Sequence, residues 1–253
     1  MAIPKADSAL ASLVSDLRRA RFLVRPEELE HRLPTPLPTG LAPLDRLLGG
    51  GLPRGRIVEL AGEGMGATAL ALSIAAHSTR TGRWVAWVDG AGAFDPRGAR
   101  EAGMALARLL WCRPKDLRDA ARAADALIAS GAFPLVVLDP CRRDAPRALA
   151  QGAWVRLARG AEAHRSCLLV VGAAGAQGFA AAAASLVPER AKARFSGRGP
   201  GRLFEGVELR CRLARNKLGL APDEVDLSFR APSHLPFVES DPPPGALRFG
   251  GKR

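Results

Sequence analysis

Two runs of four aliphatic residues constrain this chain more than any other feature: Leu135-Val136-Val137-Leu138 and Leu168-Leu169-Val170-Val171. On extended backbone, successive side chains point to opposite faces, so strands of this kind must be covered on both sides. Helical stretches stand between such runs. Arg56 to Ala61 reads as a strand, Gly62 to Gly66 as a loop and Ala67 to Arg80 as a helix. Trp84 to Asp89 is a strand, and Asp95 to Leu110 is largely helical. Leu117 to Ser130 is a helix, Leu135 to Asp139 a strand, Arg147 to His164 a helix and Leu168 to Gly172 a strand. The alternation predicts an α/β domain with a mostly parallel central sheet flanked by helices. With 253 residues, the chain can bury such a core without disulfides or metal.

The flanks differ from this middle. Residues 7 to 23 place Leu10, Leu13, Val14 and Leu17 at helical spacing, followed by Arg18, Arg19 and Arg21. Four prolines between Pro26 and Pro38 then forbid a helix and force extended backbone. Residues 1–37 therefore read as an N-terminal helix on a Pro-rich arm, 38–230 as the core domain and 231–253 as a Pro/Gly-rich tail. A short helix, Leu41 to Leu48, runs into Gly49-Gly50-Gly51. After Pro188, Val207 to Arg215 and Val225 to Arg230 read as two late strands at a sheet edge, with Arg194 to Arg202 as a loop between elements. Ser166 to Pro188 carries no charge and has the length of a membrane span. A buried strand, a Gly-rich turn and an Ala-rich helix account for it better, since only its first residues are strongly apolar. Residues 5 to 32 are charged throughout, so no apolar leader is expected, and a soluble cytoplasmic protein is.

Charge narrows the partners less than its size suggests. Lys+Arg 37 against Asp+Glu 25 gives +12, yet 32 of those cations are Arg and 47 residues are Ala, a bias that a GC-rich genome imposes on any protein. The four cysteines, Cys112, Cys141, Cys167 and Cys211, lie far apart with no metal-ligand spacing, so incidental thiols are expected and neither zinc nor disulfides.

In an α/β protein the default site is the crevice beyond the carboxyl ends of the strands. There the first strand runs into Ala61-Gly62-Glu63-Gly64-Met65-Gly66-Ala67-Thr68. A working phosphate loop needs four residues between its glycines, then Lys and Ser/Thr. Here three residues separate Gly62 from Gly66, and Ala67 takes the Lys position, leaving β- and γ-phosphate charge uncompensated. Thr68 keeps the hydroxyl that a metal would use, or is a simple cap. Asp139 ends an apolar strand as a magnesium-holding carboxylate does, or makes a turn with Pro140.

Together, Pro38-Thr39-Gly40, Leu44-Asp45, the block Leu47 to Leu60 with Gly49-Gly50-Gly51-Leu52-Pro53-Arg54-Gly55-Arg56, then Asp89, Asp95-Pro96, Asp139 and Arg215-Asn216-Lys217 resemble the RecA family over roughly residues 38 to 230. The resemblance implies a RecA-like core. It also marks departures at the chemistry. Where the family places a water-activating glutamate two residues after the Asp matching Asp89, this chain has Ala91. The adenine-stacking aromatic falls near Gly98, the phosphate-sensing Asn-Gln pair on Ala173 and Ala174, and the DNA-holding loops between Gly175 and Arg202. Losing a positioned base costs about 10²–10⁴-fold in rate, and losing a charge donor about 10²–10³.

A RecA-like core with a degenerate phosphate loop and a Pro-rich arm is similar to the ImuA family, which is often labelled SulA-like. That resemblance implies a non-catalytic accessory role in the DNA damage (SOS) response and error-prone translesion synthesis. Its expected partners are RecA, an ImuB-type protein, or both, and an error-prone replicative polymerase subunit; DNA would be a weak or indirect partner, and no membrane or cofactor is expected. Gly62, Gly66, Thr68 and Asp139 then mark a degenerate nucleotide site. Arg215 and Lys217 match the pair that reaches a neighbouring subunit's nucleotide, or else are a solvated strand end. The Arg-rich loop 190 to 202, with Phe195 and Phe204, either tracks a phosphate backbone or is a solvated loop. The competing readings are an active DNA-dependent ATPase or recombinase, supported by Thr68, Asp139 and Arg215, and an SOS inhibitor of cell division.

Overall fold

A computed structural model describes residues 15–16, 34–62, 65–140, 148–173, 180–197, 202–219 and 223–230. All of the expected helix at 7 to 23 except residues 15–16, most of the Pro-rich arm and the tail 231–253 lie outside the described residues, as do Ala174 and Cys141.

Eight strands form one sheet: β1 (Ile57–Ala61), β2 (Val85–Asp89), β3 (Leu109–Cys112), β4 (Leu135–Asp139), β5 (Cys167–Ala173), β6 (Ala184–Ser196), β7 (Leu203–Asn216) and β8 (Glu224–Arg230). Their spatial order is β3-β2-β4-β5-β1-β6-β7-β8. The first six are parallel, and β6-β7-β8 are antiparallel. The helices are α1 (Ala42–Leu47), α2 (Met65–Arg80), α3 (Pro96–Glu101), α4 (Leu117–Ala129) and α5 (Gln151–His164). This is the expected α/β class, a mixed but mostly parallel sheet between helical layers.

Alternation within the apolar runs divides the core. Val137, Leu135 and Leu169 turn to the face covered by α1 and α2, whereas Val136, Leu138, Leu168 and Val170 turn to α4 and α5. Every residue of β1, β2 and β4 is buried. Small residues let the helices close on the sheet: Ala71, Ala75 and Ala76 on α2, Ala120 and Ala124 on α4. Ahead of the sheet, Thr39 accepts from Leu41 N (3.1 Å) and donates its hydroxyl to Asp45 Oδ1 (2.7 Å), tying the turn to α1. Gly51, at φ 136, passes so close to the Leu37 backbone that a Cβ would collide with its carbonyl. The Leu37–Leu52 bridge runs at that point.

Three expectations are corrected. Asp95 to Leu110 is not one helix: α3 ends at Glu101, Gly103 turns the chain at φ 87, and Leu109–Cys112 forms β3 beside β2. The alanines before Pro188 form no helix. Instead Ala183 N donates to Ile57 O (2.8 Å), Ala184 to Leu186 pair with β1, and Ala182 to Val187 are buried. The open edge of β1 needs a strand, and that backbone demand outweighs the helix propensity of alanine. The stretch 190 to 202 is strand through Ser196, where β6 ends, and β7 starts at Leu203; residues 198–201 lie outside the described residues. Ion pairs of Arg194 with Glu205 (3.6 Å) and Glu208 (3.7 Å) and the Phe195–Phe204 ring contact (5.7 Å) join the hairpin arms.

Burial in a parallel sheet places one carboxylate, Glu59 of β1, at 1% exposure. Ser185 Oγ of β6 donates to its Oε2 at 2.6 Å. Among the described residues, no helix is long and apolar enough to cross a membrane. Ser185→Ala removes a donor to a buried carboxylate and is expected to cost roughly 1.5–3 kcal/mol. Urea unfolding of Ser185→Ala beside Ser185→Thr checks this, the threonine variant retaining most of the stability.

Candidate functional site

Because β1, β2, β4 and β5 are parallel and adjacent, their carboxyl ends bring Ala61-Gly62, Asp89, Asp139 and Ala173 to one rim. There, α2 starts at Met65 close behind β1 and presents Gly66, Ala67 and Thr68 in its first turn. The sequence-predicted residues Gly62, Gly66, Thr68 and Asp139 thus gather at the same end of the sheet. Ala67 is buried at 3% exposure and belongs to the apolar core with Leu70 and Ala71. Thr68 is half-buried. Gly66 is pinned by packing: a Cβ on it would sit 3.1 Å from both Pro188 Cβ and Leu209 Cδ1. The start of α2 therefore leans on the β6–β7 hairpin at the point where a phosphate loop would leave room for oxygen atoms.

Asp89 and Asp139 are register partners on β2 and β4, and both are buried. Their settings differ. Asp89 Oδ1 accepts from Ala93 N (2.9 Å) and Oδ2 accepts from Trp111 Nε1 (3.2 Å), so this carboxylate holds the turn that carries Ala91. Phe94 from the same turn packs between Trp87 (4.9 Å) and Trp111 (5.4 Å). Burial, reinforced by the neighbouring Asp89 charge, pushes the Asp139 carboxyl up to about 6. Two carboxylates so placed make a weak site for a multiply charged anion, and among the described residues no group of three or more His, Cys, Asp or Glu is arranged to hold a metal. Among the described residues the donor set is poor for a magnesium nucleotide: Ala67 offers no cation, and one of the two carboxylates is already committed to Trp111 and Ala93.

Ala91 is exposed on the turn after β2. Asp95 caps α3, accepting from Arg97 N (3.0 Å) and Gly98 N (2.9 Å). A side chain at 98 would press on that cap, with its Cβ 2.9 Å from Asp95 Oδ2. Ala173 closes β5, and its neighbour 174 lies outside the described residues.

Arg215 and Lys217 are not brought to this rim. Arg215 lies opposite Ser185, level with Glu59 in mid-sheet, and Lys217 N donates to Ala183 O (2.8 Å) toward the other end. The Lys217 ammonium also donates to the Ala180 carbonyl. Burial pushes the Cys167 and Cys211 thiols up to about 12, in keeping with inert packing groups. Sequence reasoning missed the Asp89–Trp111 bond, since Leu109 and Leu110, the start of the strand that carries Trp111, read as the end of a helix. The extended run Leu109-Leu110-Trp111 was the available signal.

A family model described as RecA N-terminal domain matches residues 22–165, more than half of the chain. Among curated relatives, Protein RecA of Acidothermus cellulolyticus is 44% identical over 118 residues, covering 46% of this chain and 34% of that protein. Protein RecA of Bifidobacterium longum is 36% identical over 148 residues (58% of this chain, 37% of that protein). Protein RecA of Nocardioides sp. is 37% identical over 148 residues (58% and 42%). The chain spans well under half the length of these relatives.

The Asp139 setting has a definite pH consequence. Its folded-state carboxyl titrates above the unfolded value of 3.8, so the native state holds this proton more tightly. The contribution is fully favourable below about pH 4 and is lost as pH rises through about 6. Asp139→Asn is therefore expected to stabilise the protein at pH 7–8 by on the order of 2–3 kcal/mol. Thermal unfolding of both proteins between pH 4 and 8 should show the difference shrinking toward acid.

Proposed function

The chain belongs to the family of RecA N-terminal domains, and from that premise we propose that it is a non-catalytic RecA-like accessory protein in the DNA damage response. It serves error-prone translesion synthesis, binding RecA, an ImuB-type protein, or both, alongside an error-prone replicative polymerase subunit. The observation that carries the reading is the start of α2. The family's phosphate-binding cation is replaced by Ala67, whose methyl is part of the core, and Gly66 is packed against Pro188 and Leu209. A cradle for a transferred phosphoryl group needs preorganised charge directed at developing charge. Position 67 instead contributes packing. Ala91, on the turn after β2, likewise offers no base to a water.

A retained fold beside an altered crevice supports this reading. Glu59, Thr39 and Asp95 are engaged in structural hydrogen bonds, so the motifs that mark the family here maintain the scaffold. Arg215 and Lys217 are assigned to contact with a partner or with nucleotide held by a neighbouring RecA-type subunit. Their place in mid-sheet and beyond, away from the rim, supports a role apart from the chain's own crevice.

Binding of the purified protein to RecA, to the ImuB-type protein and to the polymerase subunit in pairwise pull-downs is the decisive experiment. Retention by at least one is expected, and retention by none sinks the adaptor role. ATP turnover provides the opposing test: phosphate release is expected at background with and without single-stranded DNA. Release that DNA stimulates and Asp139→Ala abolishes would establish the ATPase instead. Ala67→Lys is expected to destabilise the fold by several kcal/mol, since it buries an ammonium in an apolar layer. Unfolding midpoints of this variant and the parent measure it.

A further inference from the structure

Beyond Pro188, among the described residues, β6 has a neighbour on one side only. Pairing of β1 with β6 stops at Leu186, while β6 runs on to Ser196 against β7. Among the described residues, no backbone hydrogen bond reaches the outer edge of β6 past Pro188. Residues 190 to 195 are exposed on both faces, an open edge of about 20 Å.

The rows of side chains that cross the sheet stop abruptly there. On one face, Leu227 and Leu209 lead to Ala191, and Phe229 and Val207 lead to Ala193. Leu227 and Leu209 are each 2% exposed, yet the alanines that end the rows are open to solvent. Phe195 and Phe204 continue this face half-exposed, at 46% and 50%. The apolar layer thus reaches the edge, and none of the described residues packs beyond it.

On the opposite face the rows are charged. Asp226 and Arg210 lead to Arg190, and Ser228 and Glu208 lead to Lys192. Arg210 is committed to Asp226 (2.8 and 3.1 Å) and Glu224 (3.3 Å), and Glu208 leans on Arg194 (3.7 Å). Arg190 and Lys192 end their rows with no ion-pair partner among the described residues, and Arg190 faces another cation. A shallow depression of about 440 Å³ opens over this end of the rows. A directly opposed like pair is unfavourable in a sheet, and an opposite charge on the next strand relieves it.

We propose that the outer edge of β6, residues 190 to 195, is a docking site for an extended segment of a partner protein that alternates acidic and apolar residues. Such a strand adds to the sheet by backbone hydrogen bonds. Its acids complete the Arg190 and Lys192 rows, and its apolar residues cover Ala191, Ala193 and Phe195. A second copy of this chain is disfavoured, because two such edges would set Arg190, Lys192 and Arg194 against their own counterparts. Single-stranded nucleic acid would meet Glu189, Glu205 and Glu208 among the cations, and the Phe195 ring already carries the Arg202 guanidinium at 5.0 Å. The surface stands on strand geometry alone and holds whether or not the chain hydrolyses nucleotide.

Fluorescence anisotropy of a short labelled peptide of alternating glutamate and valine, titrated with the full chain, tests the proposal. Saturable binding is expected, weakened at least roughly tenfold by Arg190→Glu with Lys192→Glu and by N-methylation of alternate peptide residues. A lysine–valine peptide should not bind. The N-methylated control uses the unmodified protein, so it is independent of how the variant folds. Absence of saturable binding, equal affinity for the N-methylated peptide, or indifference to the double substitution overturns the proposal. So does displacement of the peptide by lower concentrations of oligothymidylate, which would mark a nucleic-acid surface. A dimer in sedimentation that the double substitution dissociates would overturn it as well, assigning the edge to self-association.

Discussion

A carboxylate inside a parallel sheet must find donors, and the bond from Ser185 to Glu59 meets that requirement across the junction on which the architecture turns. β1 is the central strand between β5 and β6, and β6 is where the sheet changes from parallel to antiparallel. Glu59 and Ser185 fix the register there, since a slip of β6 by one residue would turn Ser185 to the layer opposite Glu59. The position of β6 in turn places Pro188 and Leu209 beneath the start of α2. The geometry of the crevice and of the hairpin therefore descends from one buried polar contact and the strand it aligns.

The crevice shows what the fold fixes whatever residues line it. Strand polarity brings loop, helix start and carboxylates to one rim regardless of the residues that occupy them. At that rim Asp89 is bound by Trp111 and Ala93, Asp139 is held above the ordinary carboxylate range, and the first turn of α2 faces core. These contacts favour rigidity.

Much of this was readable residue by residue. The runs at 135–138 and 168–171 announced buried parallel strands, and the alternation of Val207, Leu209, Cys211 and Leu213 announced a half-covered antiparallel one. The spacing from Gly62 to Thr68 identified the loop and its missing cation. Two segments were misread for a common reason. Leu109–Cys112 and the alanines before Pro188 have local preferences that permit helix, and only a neighbouring strand with unpaired backbone groups selects extended structure. Arg190 to Ser196 read as loop because its charges and small residues carry no strand signal; β7 supplies the pairing.

Sequence alone therefore determined which segments are apolar enough to form the sheet, and which chemical groups the crevice has and lacks, because both are properties of residue type and spacing. Tertiary structure decided what those groups touch. It made Ala67 a core residue, tied Asp89 to Trp111, turned Gly66 toward Pro188 and left β6 with an open side. Each of these depends on contacts between residues far apart in the chain, whose positions are set only when backbone hydrogen bonds and buried surface are satisfied together.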